Sequence, residues 1–137
     1  MTIALIAHDT KKELMCQFCS AYQDVLKAHK LYATSATARQ IQNRTDLKIK
    51  ELMLGSMGGI EQITSMACYG EIDVVIMFRD VDKMEDDHNE TALLKTCDRF
   101  AIPYATNMIT GEIIVRSIAQ GDLDWLEYEH KKNVNLG

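Results

Sequence analysis

Apolar residues in this chain form short continuous runs that alternate with segments of helical periodicity. Continuous runs at residues 2–7 and 72–78 are typical of strands that are buried on both faces of a sheet. Between them, Leu14, Phe18 and Tyr22 recur every four residues, which predicts an amphipathic helix. The alternation of strands and helices predicts an α/β fold with a mostly parallel, five-stranded sheet and helices on both faces.

The same patterns place the remaining elements along the chain. The predicted strands are residues 2–7, 31–34, 49–54, 72–78 and 102–106. The clearest later helices are predicted at residues 59–69, 92–100 and 110–118. An acidic loop is expected at residues 82–90. The chain is interpreted as one domain, residues 1–137, in which residues 121–137 form a polar tail without a predicted element.

Composition narrows the class of protein. The chain has 137 residues, 47% hydrophobic residues and a net charge of −5, which predicts a packed core and argues against nucleic-acid binding. No apolar run approaches the roughly 20 residues of a membrane span, so no membrane contact is expected. The first residues are predicted to form a strand, not a signal peptide.

Cys16 and Cys19 form a C-x-x-C motif, which allows a redox pair or half of a zinc site. We interpret these thiols, with Cys68 and Cys97, as packing residues in a reducing compartment, because no further matched metal ligands accompany them. The sequence therefore predicts a cytoplasmic protein without a metal.

Polar residues follow each predicted strand. They are His8 and Asp9, the hydroxyl-rich turn at residues 34–37, the glycine loop at residues 55–59, Arg79 with Asp80, and Asn107. In a parallel sheet these positions meet at one edge, where ligands bind. Gly55, Ser56, Gly58 and Gly59 lie between a strand and a helix, which favours backbone N–H groups gathered around an anion.

These loops, in this order, resemble methylglyoxal synthase. The matching segments are IALIAHDTKK, LYAT with its hydroxyl-rich turn, GSMGG, DVVIMFRD and IPYATNM, and the similarity covers about residues 2–120. The resemblance implies an α/β domain that forms a homohexamer. It also implies conversion of dihydroxyacetone phosphate to methylglyoxal and phosphate, without a metal or organic cofactor.

The resemblance assigns roles to individual residues. His8, Asp9 and Lys12 match the strand-end acid and phosphate residues of the family, and Asp80 matches a second active-site carboxylate. The phosphate- or ligand-binding candidates are His8, Lys12, Thr34, Ser35, Thr37, Gly55, Ser56, Gly58, Gly59, Arg79 and His88.

The chain departs from the family pattern at several positions. Where the family carries its catalytic aspartate after two glycines, this chain has Ile60, and the neighbouring Glu61 is turned by ~100° around a helix. The hydroxyl-rich turn has lost both glycines. The loop after Asp80 is shorter and more acidic, and Asp86, not His88, aligns with the family's second catalytic histidine.

Because a general base contributes roughly two to four orders of magnitude in rate, Ile60 favoured a binding protein on a synthase scaffold. Such a protein would sense or sequester a phosphorylated small molecule such as a nucleotide. The alternative is an active methylglyoxal synthase in which His8, Asp9, Asp80 and Glu61 are the catalytic candidates. A purely structural oligomer is the third interpretation.

Overall fold

The computed structural model describes residues 1–83 and 88–136. Five strands lie in this part of the chain: β1 Thr2–Ala7, β2 Lys30–Ala33, β3 Ile49–Glu51, β4 Val74–Phe78 and β5 Tyr104–Ala105. The helices are α1 Lys12–Ala21, α2 Gln23–Leu26, α3 Ser35–Arg44, α4 Gly59–Cys68, α5 His88–Arg99, α6 Met108–Ala119 and α7 Leu126–Leu136. Short 3-10 turns precede α1 and α4, at Asp9–Lys11 and Gly55–Met57.

The five strands form one sheet in the order β3-β2-β1-β4-β5, and every neighbouring pair is parallel. The strands β2 and β3 lie on one side of β1, and β4 and β5 lie on the other side. In register, Leu5 of β1 lies between Ala33 of β2 and Ile76 of β4. The predicted α/β fold with a five-stranded sheet is confirmed, and the sheet is wholly parallel over the described strands. Its topological switch point lies between β1 and β4.

Side chains on alternate positions of the strands enter two separate hydrophobic layers, as the pleat requires. Ile3 and Leu5 of β1 pack with residues of α1, α3, α6 and α7. Ala4 and Ile6 face the other side and pack with residues of α4 and α5. The helices therefore cover both faces, as predicted, and the buried sheet leaves its strand ends as the place for polar groups.

The strand β3 is shorter than predicted. It ends at Glu51, although the apolar pattern predicted a strand through Leu54. The backbone N–H of Met53 donates to the side chain of Gln62 at 2.8 Å, and its carbonyl accepts from Ser35 N–H at 3.3 Å. These contacts replace the strand ladder and turn the chain towards α4.

Helix α5 begins at His88, so the predicted acidic loop is wrong for residues 88–90. Glu90 is buried and lies three and seven residues before Leu93 and Cys97, which are also buried. The carboxylate therefore shares the core-facing side of this helix. Residues 84–87, including the aligned Asp86, lie outside the described residues.

The polar tail contains helix α7, which the sequence pattern does not predict. His130 on this helix is buried and contacts Asp73 through Nδ1 at 2.7 Å and the Ala101 carbonyl through Nε2 at 3.1 Å. The other oxygen of Asp73 accepts from Thr2 N–H at 2.8 Å. This ion pair attaches α7 to the amino-terminal ends of β1 and β4, which is the edge of the sheet opposite the polar loops.

Both members of this pair have shifted pKa values. Burial opposes the charge on His130, but the hydrogen bonds to Asp73 and to the Ala101 carbonyl outweigh it and raise the pKa of the imidazole above 6.5. Burial also opposes the charge on Asp73, but the hydrogen bonds from His130 and Thr2 lower the pKa of that carboxyl below 3.8. The His130 contribution to stability is complete below pH 6.5 and is lost as the pH rises through the raised pKa. The Asp73 contribution is complete above pH 3.8 and is lost on acidification.

We expect His130→Leu to lower the free energy of unfolding by about 3 kcal/mol at pH 5, because it leaves the Asp73 carboxylate buried without its cation. The difference from the unsubstituted protein should become smaller as the pH rises through the raised pKa of His130, because the unsubstituted protein then loses the charge on the imidazole. Urea unfolding followed by circular dichroism at pH 5 and at a pH above that pKa measures this. The exposed His88 provides the control, since His88→Gln should change stability by less than about 0.5 kcal/mol. An equal loss at both pH values would contradict the ionic origin.

All four cysteines are free thiols, and Cys16, Cys19 and Cys97 are buried. Burial raises the pKa of Cys19 and of Cys97 to about 12, which keeps both thiols protonated at neutral pH. The interpretation of Cys16 and Cys19 as packing residues agrees with this burial. Across residues 1–83 and 88–136, no helix combines the length and the apolar character needed to cross a membrane.

Candidate active site

The carboxyl-terminal ends of the central strands open into a cavity of about 540 Å³, which is in the usual range for a small-molecule site. It lies at the switch point between β1 and β4. The lining residues are Ile6, Ala7, His8, Asp9, Thr10, Lys12, Thr34, Ala36, Leu54, Gly55, Ser56, Ile60, Asp80, Lys83, Asn89 and Glu90.

His8 directly follows β1 and is held at both ring nitrogens. Asp80 N–H donates to Nδ1 at 2.9 Å, and Nε2 lies 2.5 Å from Glu90 Oε1. A backbone N–H is only a donor, so Nδ1 is the acceptor and the ring hydrogen is on Nε2. His8 is therefore a neutral imidazole whose Nε2–H donates to the carboxylate of Glu90. This geometry fixes both the tautomer and the ring orientation beside the cavity.

Asp80 follows β4 and both of its carboxylate oxygens accept hydrogen bonds. The Thr10 hydroxyl donates to Oδ2 at 2.5 Å, and Asp82 N–H donates to Oδ1 at 3.2 Å. The hydrogen bond from Thr10, with that from Asp82, lowers the pKa of Asp80. Asp80 is thus an anion whose backbone orients His8 and whose side chain is held by Thr10.

Lys12 supplies positive charge to the cavity from the first turn of α1. Its Nζ donates to the Ala7 carbonyl at 2.9 Å and to Asp9 Oδ1 at 2.8 Å, and its side chain is only 12% exposed. Asp9 itself is exposed, and the hydrogen bond from Lys12 lowers its pKa. The buried stem and the two contacts hold the ammonium group in place for an anionic ligand.

Helix α3 presents its amino terminus to the cavity. Thr34 is the N-cap residue, yet its side chain makes no capping hydrogen bond, and both Thr34 and Ala36 line the cavity. Thr37, one turn into the helix, is 1% exposed, and within the described part of the chain its hydroxyl has no hydrogen-bond partner. A helix amino terminus attracts negative charge. An uncapped Thr34 beside the cavity leaves this helix terminus open to a phosphate.

The glycine loop forms another wall. Gly55, Ser56 and Ile60 line the cavity, whereas Gly58 and Gly59 do not. Gly58 has φ +106°, a conformation that glycine adopts without a steric penalty. A Cβ on Gly59 would lie 2.2 Å from the Met53 carbonyl oxygen and 2.8 Å from Thr34 Cγ2. These two glycines are therefore explained by backbone geometry and close packing.

We expect Gly59→Ala to destabilise the protein by about 1–3 kcal/mol, because the backbone of Met53 and the side chain of Thr34 must both move. The shift of Thr34 should also weaken the binding of inorganic phosphate. Urea unfolding and calorimetry with phosphate measure the two effects. Gly55→Ala is the matched control, since a Cβ on Gly55 meets nothing within 4 Å. Equal stability of both variants would contradict the packing argument.

The structure brings many of the predicted site residues together around one cavity: His8, Asp9, Lys12, Thr34, Gly55, Ser56 and Asp80. Other candidates lie away from the cavity lining: Ser35, Thr37, Gly58, Gly59, Glu61, Arg79 and His88. Ser35 donates its hydroxyl to Glu51 at 2.5 Å. Glu61 Oε2 lies 3.3 Å from where a Gly58 Cβ would be. His88 is exposed at the start of α5.

Sequence reasoning missed Thr10, Lys83, Asn89 and Glu90 as cavity residues. For Glu90 the sequence does contain a signal, since an acidic residue stands in helical register with Leu93 and Cys97 on an apolar face. A carboxylate at such a position is rarely buried without a specific partner. The predicted helix began at residue 92, so Glu90 was assigned to a loop and not to the buried face of α5.

The arrangement combines an ammonium group, an open helix terminus and a small-residue loop with a neutral imidazole and carboxylates. The first set can hold a phosphate, and the second set can donate and accept protons. Within residues 1–83 and 88–136, no group of three or more His, Cys, Asp or Glu side chains is arranged to hold a metal ion.

The parallel sheet defines an α/β protein whose cavity lies at the topological switch point and is lined by polar and charged side chains. Residues 14–106 match the family model of the MGS-like domain, and the chain belongs to this family. The solved structure of a methylglyoxal synthase from Elizabethkingia anophelis superimposes with a TM-score of 0.78 at 32% identity. That match covers 83% of this chain and 76% of the other.

Curated relatives carry the same name over nearly the full chain. The methylglyoxal synthase of Caldicellulosiruptor saccharolyticus is 45% identical and covers 96% of this chain and 94% of its own length. That of Clostridioides difficile is 39% identical and covers 99% of this chain and 100% of its own length. The preference for a non-catalytic binding protein is therefore wrong, because these relatives favour the enzymatic alternative. The inference failed because it depended on one position, Ile60.

Proposed function

We propose that this protein is a methylglyoxal synthase that converts dihydroxyacetone phosphate to methylglyoxal and inorganic phosphate. The observation that carries the proposal is the placement of a phosphate-binding set and an oriented neutral imidazole on one cavity. The relatives named methylglyoxal synthase, at 39–45% identity, give the reaction. No organic cofactor or metal is part of the proposed reaction, because proton transfer and loss of phosphate need only acid–base groups and an anion site.

The phosphate end of the substrate is proposed to bind between Lys12 and the amino terminus of α3. Lys12 Nζ supplies the positive charge, and Thr34, which lines the cavity and makes no capping hydrogen bond, supplies a hydroxyl group. Ser56 in the opposite loop completes the cradle. Binding the phosphate here holds the leaving group beside a helix dipole and an ammonium group, which stabilises the charge that develops when the ester bond breaks.

The carbonyl end of the substrate is proposed to lie near His8. A neutral imidazole can stabilise an enediolate when its Nε2–H turns from Glu90 to the substrate oxygen. The Asp80 N–H that donates to Nδ1 holds this tautomer. Thr10 and Asp80 are thus proposed to act on the substrate through His8 and not by direct contact.

The test is incubation of the purified protein with dihydroxyacetone phosphate, followed by separate assays of methylglyoxal and released phosphate. We expect equal amounts of both products, with a kcat in the usual enzyme range of about 1–10³ s⁻¹. Absence of turnover at micromolar enzyme, with phosphate binding intact, would exclude the proposed reaction. A denatured sample corrects for spontaneous breakdown of the substrate.

A homohexamer in the cytoplasm completes the proposal. Ile109 and Ile113 lie one turn apart on α6 and are 63% and 60% exposed, a pattern that suits a contact with another protomer. The free thiols fit a reducing compartment. Light scattering coupled to gel filtration determines the oligomer, and a monomeric mass would exclude the hexamer.

A further inference from the structure

The reaction proposed above needs a base that removes a proton from carbon. Ile60 lines the cavity at the position where the resemblance expects that base, and an alkyl side chain cannot accept a proton. Across residues 1–83 and 88–136, the carboxylates that line the cavity belong to Asp9, Asp80 and Glu90. The choice among these three follows from their burial and contacts.

Asp9 and Asp80 are poorly suited to the task. The Asp9 side chain is 97% exposed and paired with Lys12. Both oxygens of Asp80 accept hydrogen bonds, from Thr10 and Asp82. Each of these contacts stabilises the anion and lowers the pKa of its carboxyl group, which makes the group a weaker base.

Glu90 differs from both. Its side chain is 4% exposed, it lines the cavity from the first turn of α5, and its Oε1 accepts the Nε2–H of His8 at 2.5 Å. Burying a carboxylate costs free energy even when the carboxylate is hydrogen-bonded, as Glu90 is to His8. The cost is understandable if the carboxylate acts on a ligand in the cavity, out of contact with bulk water.

We propose that Glu90 is the general base of the reaction, positioned by His8, in place of a carboxylate at Ile60. This inference rests on the proposed function. It assigns the proton transfer to Glu90, which lies on α5 and not in the loops at the strand ends. The relevant structural unit is a chain of contacts from Asp80 N–H through the His8 ring to Glu90.

The proposed step conserves atoms and electrons. The Glu90 carboxylate takes a proton from the hydroxymethyl carbon of dihydroxyacetone phosphate. The C–H electron pair forms the C=C bond of the enediolate, and the carbonyl electron pair moves to oxygen. Protonated Glu90 is a weaker acceptor, so the Nε2–H of His8 turns from Glu90 to this oxygen and stabilises its charge. The terminal enediol hydroxyl then passes its proton to the departing phosphate and becomes an aldehyde, the C=C pair shifts to the neighbouring C–C bond, and the ester C–O bond breaks with its pair leaving on phosphate. The resulting enolate takes a proton from solvent on its terminal carbon and becomes methylglyoxal, and Glu90 releases its proton to solvent.

The decisive variant is Glu90→Gln, which keeps an oxygen acceptor for His8 but cannot take a proton. We expect its kcat to fall by about 10²- to 10⁴-fold. Its affinity for inorganic phosphate, measured by calorimetry, should change by less than about threefold. Exchange of substrate hydrogen in D₂O, followed by NMR, should be lost in parallel. The matched control is Asp98→Asn, which removes one exposed negative charge two turns later on α5 and should leave all three measurements unchanged.

The outcomes separate the two proposals. An inactive unsubstituted protein overturns the proposed function. An active unsubstituted protein with an equally active Glu90→Gln variant overturns only the role of Glu90. Loss of turnover in Glu61→Gln with Glu90→Gln intact would transfer the role to Glu61. If Glu90→Gln fails to fold, Glu90→Asp serves instead. Glu90→Asp retains a carboxylate on a side chain that is shorter by one methylene. We expect it to bind phosphate normally and to turn over substrate more slowly. Unchanged turnover would count against the role of Glu90.

Discussion

His8→Asn should lower kcat for methylglyoxal formation by about 10²- to 10³-fold, the usual cost of removing one oriented donor from a developing oxyanion. The Asn Oδ1 can still accept the Asp80 N–H, because it occupies nearly the position of Nδ1. The donor to Glu90 is lost, because the shorter side chain cannot replace Nε2, which now lies 2.5 Å from Glu90 Oε1. The variant therefore tests the Nε2–H alone.

The complementary variant is His8→Gln, whose amide nitrogen can occupy the position of Nε2. We expect it to recover part of the activity, since it restores a donor but loses the Nδ1 acceptor for Asp80 N–H. Steady-state kinetics with dihydroxyacetone phosphate should show the loss in kcat with a smaller change in KM. His29→Gln, at the opposite edge of the sheet, is the control. Equal activities of His8→Asn and the unsubstituted protein would contradict a catalytic donor at His8.

Lys12→Met should weaken the binding of inorganic phosphate by about 10- to 100-fold, which corresponds to the loss of one charge-assisted hydrogen bond. Methionine keeps most of the apolar stem, which is largely buried, and removes only the ammonium group. KM for dihydroxyacetone phosphate should rise in the same proportion, with kcat less affected, if the contact is equally strong in substrate and transition state.

Lys11→Met is the matched control for this experiment. Lys11 has the same charge and is the neighbouring residue, but it does not line the cavity. Competitive inhibition by inorganic phosphate in the steady-state assay gives the affinities of all three proteins. A comparable loss in both variants would show that net charge, and not the position of Lys12 Nζ, governs phosphate affinity.

The central part of the fold was predictable because its strands are buried on both faces. Positions buried between two layers of helices must then be apolar, as residues 3–7 of β1 and 74–78 of β4 are, and these runs are visible without any knowledge of their neighbours. The outer strands β3 and β5 are shorter, with three and two residues, and their limits depend on loop contacts. The prediction of β3 through Leu54 failed for that reason.

Helix α7, in contrast to β1 and β4, could not be predicted from its own residues. Its pattern is polar, and its attachment depends on His130 meeting Asp73, which is 57 residues away in the sequence. Nothing local to residues 121–137 indicates that partner. The same holds for Glu90, which contacts His8 across 82 residues. Because the sequence analysis considered Glu61 and Asp80 as replacements for the base at residue 60, it did not consider the carboxylate that α5 brings to the cavity.

Periodicity and loop chemistry alone were enough to predict the alternation of strands and helices and the collection of His8, Asp9, Thr34, Gly55, Ser56 and Asp80 at one edge, whereas Lys12 was assigned by the family resemblance. These features follow from local burial and from parallel strands ending together. The tautomer of His8, the burial of Glu90 and the packing role of Gly59 were decided only by the tertiary structure. Each depends on atoms that are distant in the sequence and meet only after the sheet and its helices have packed.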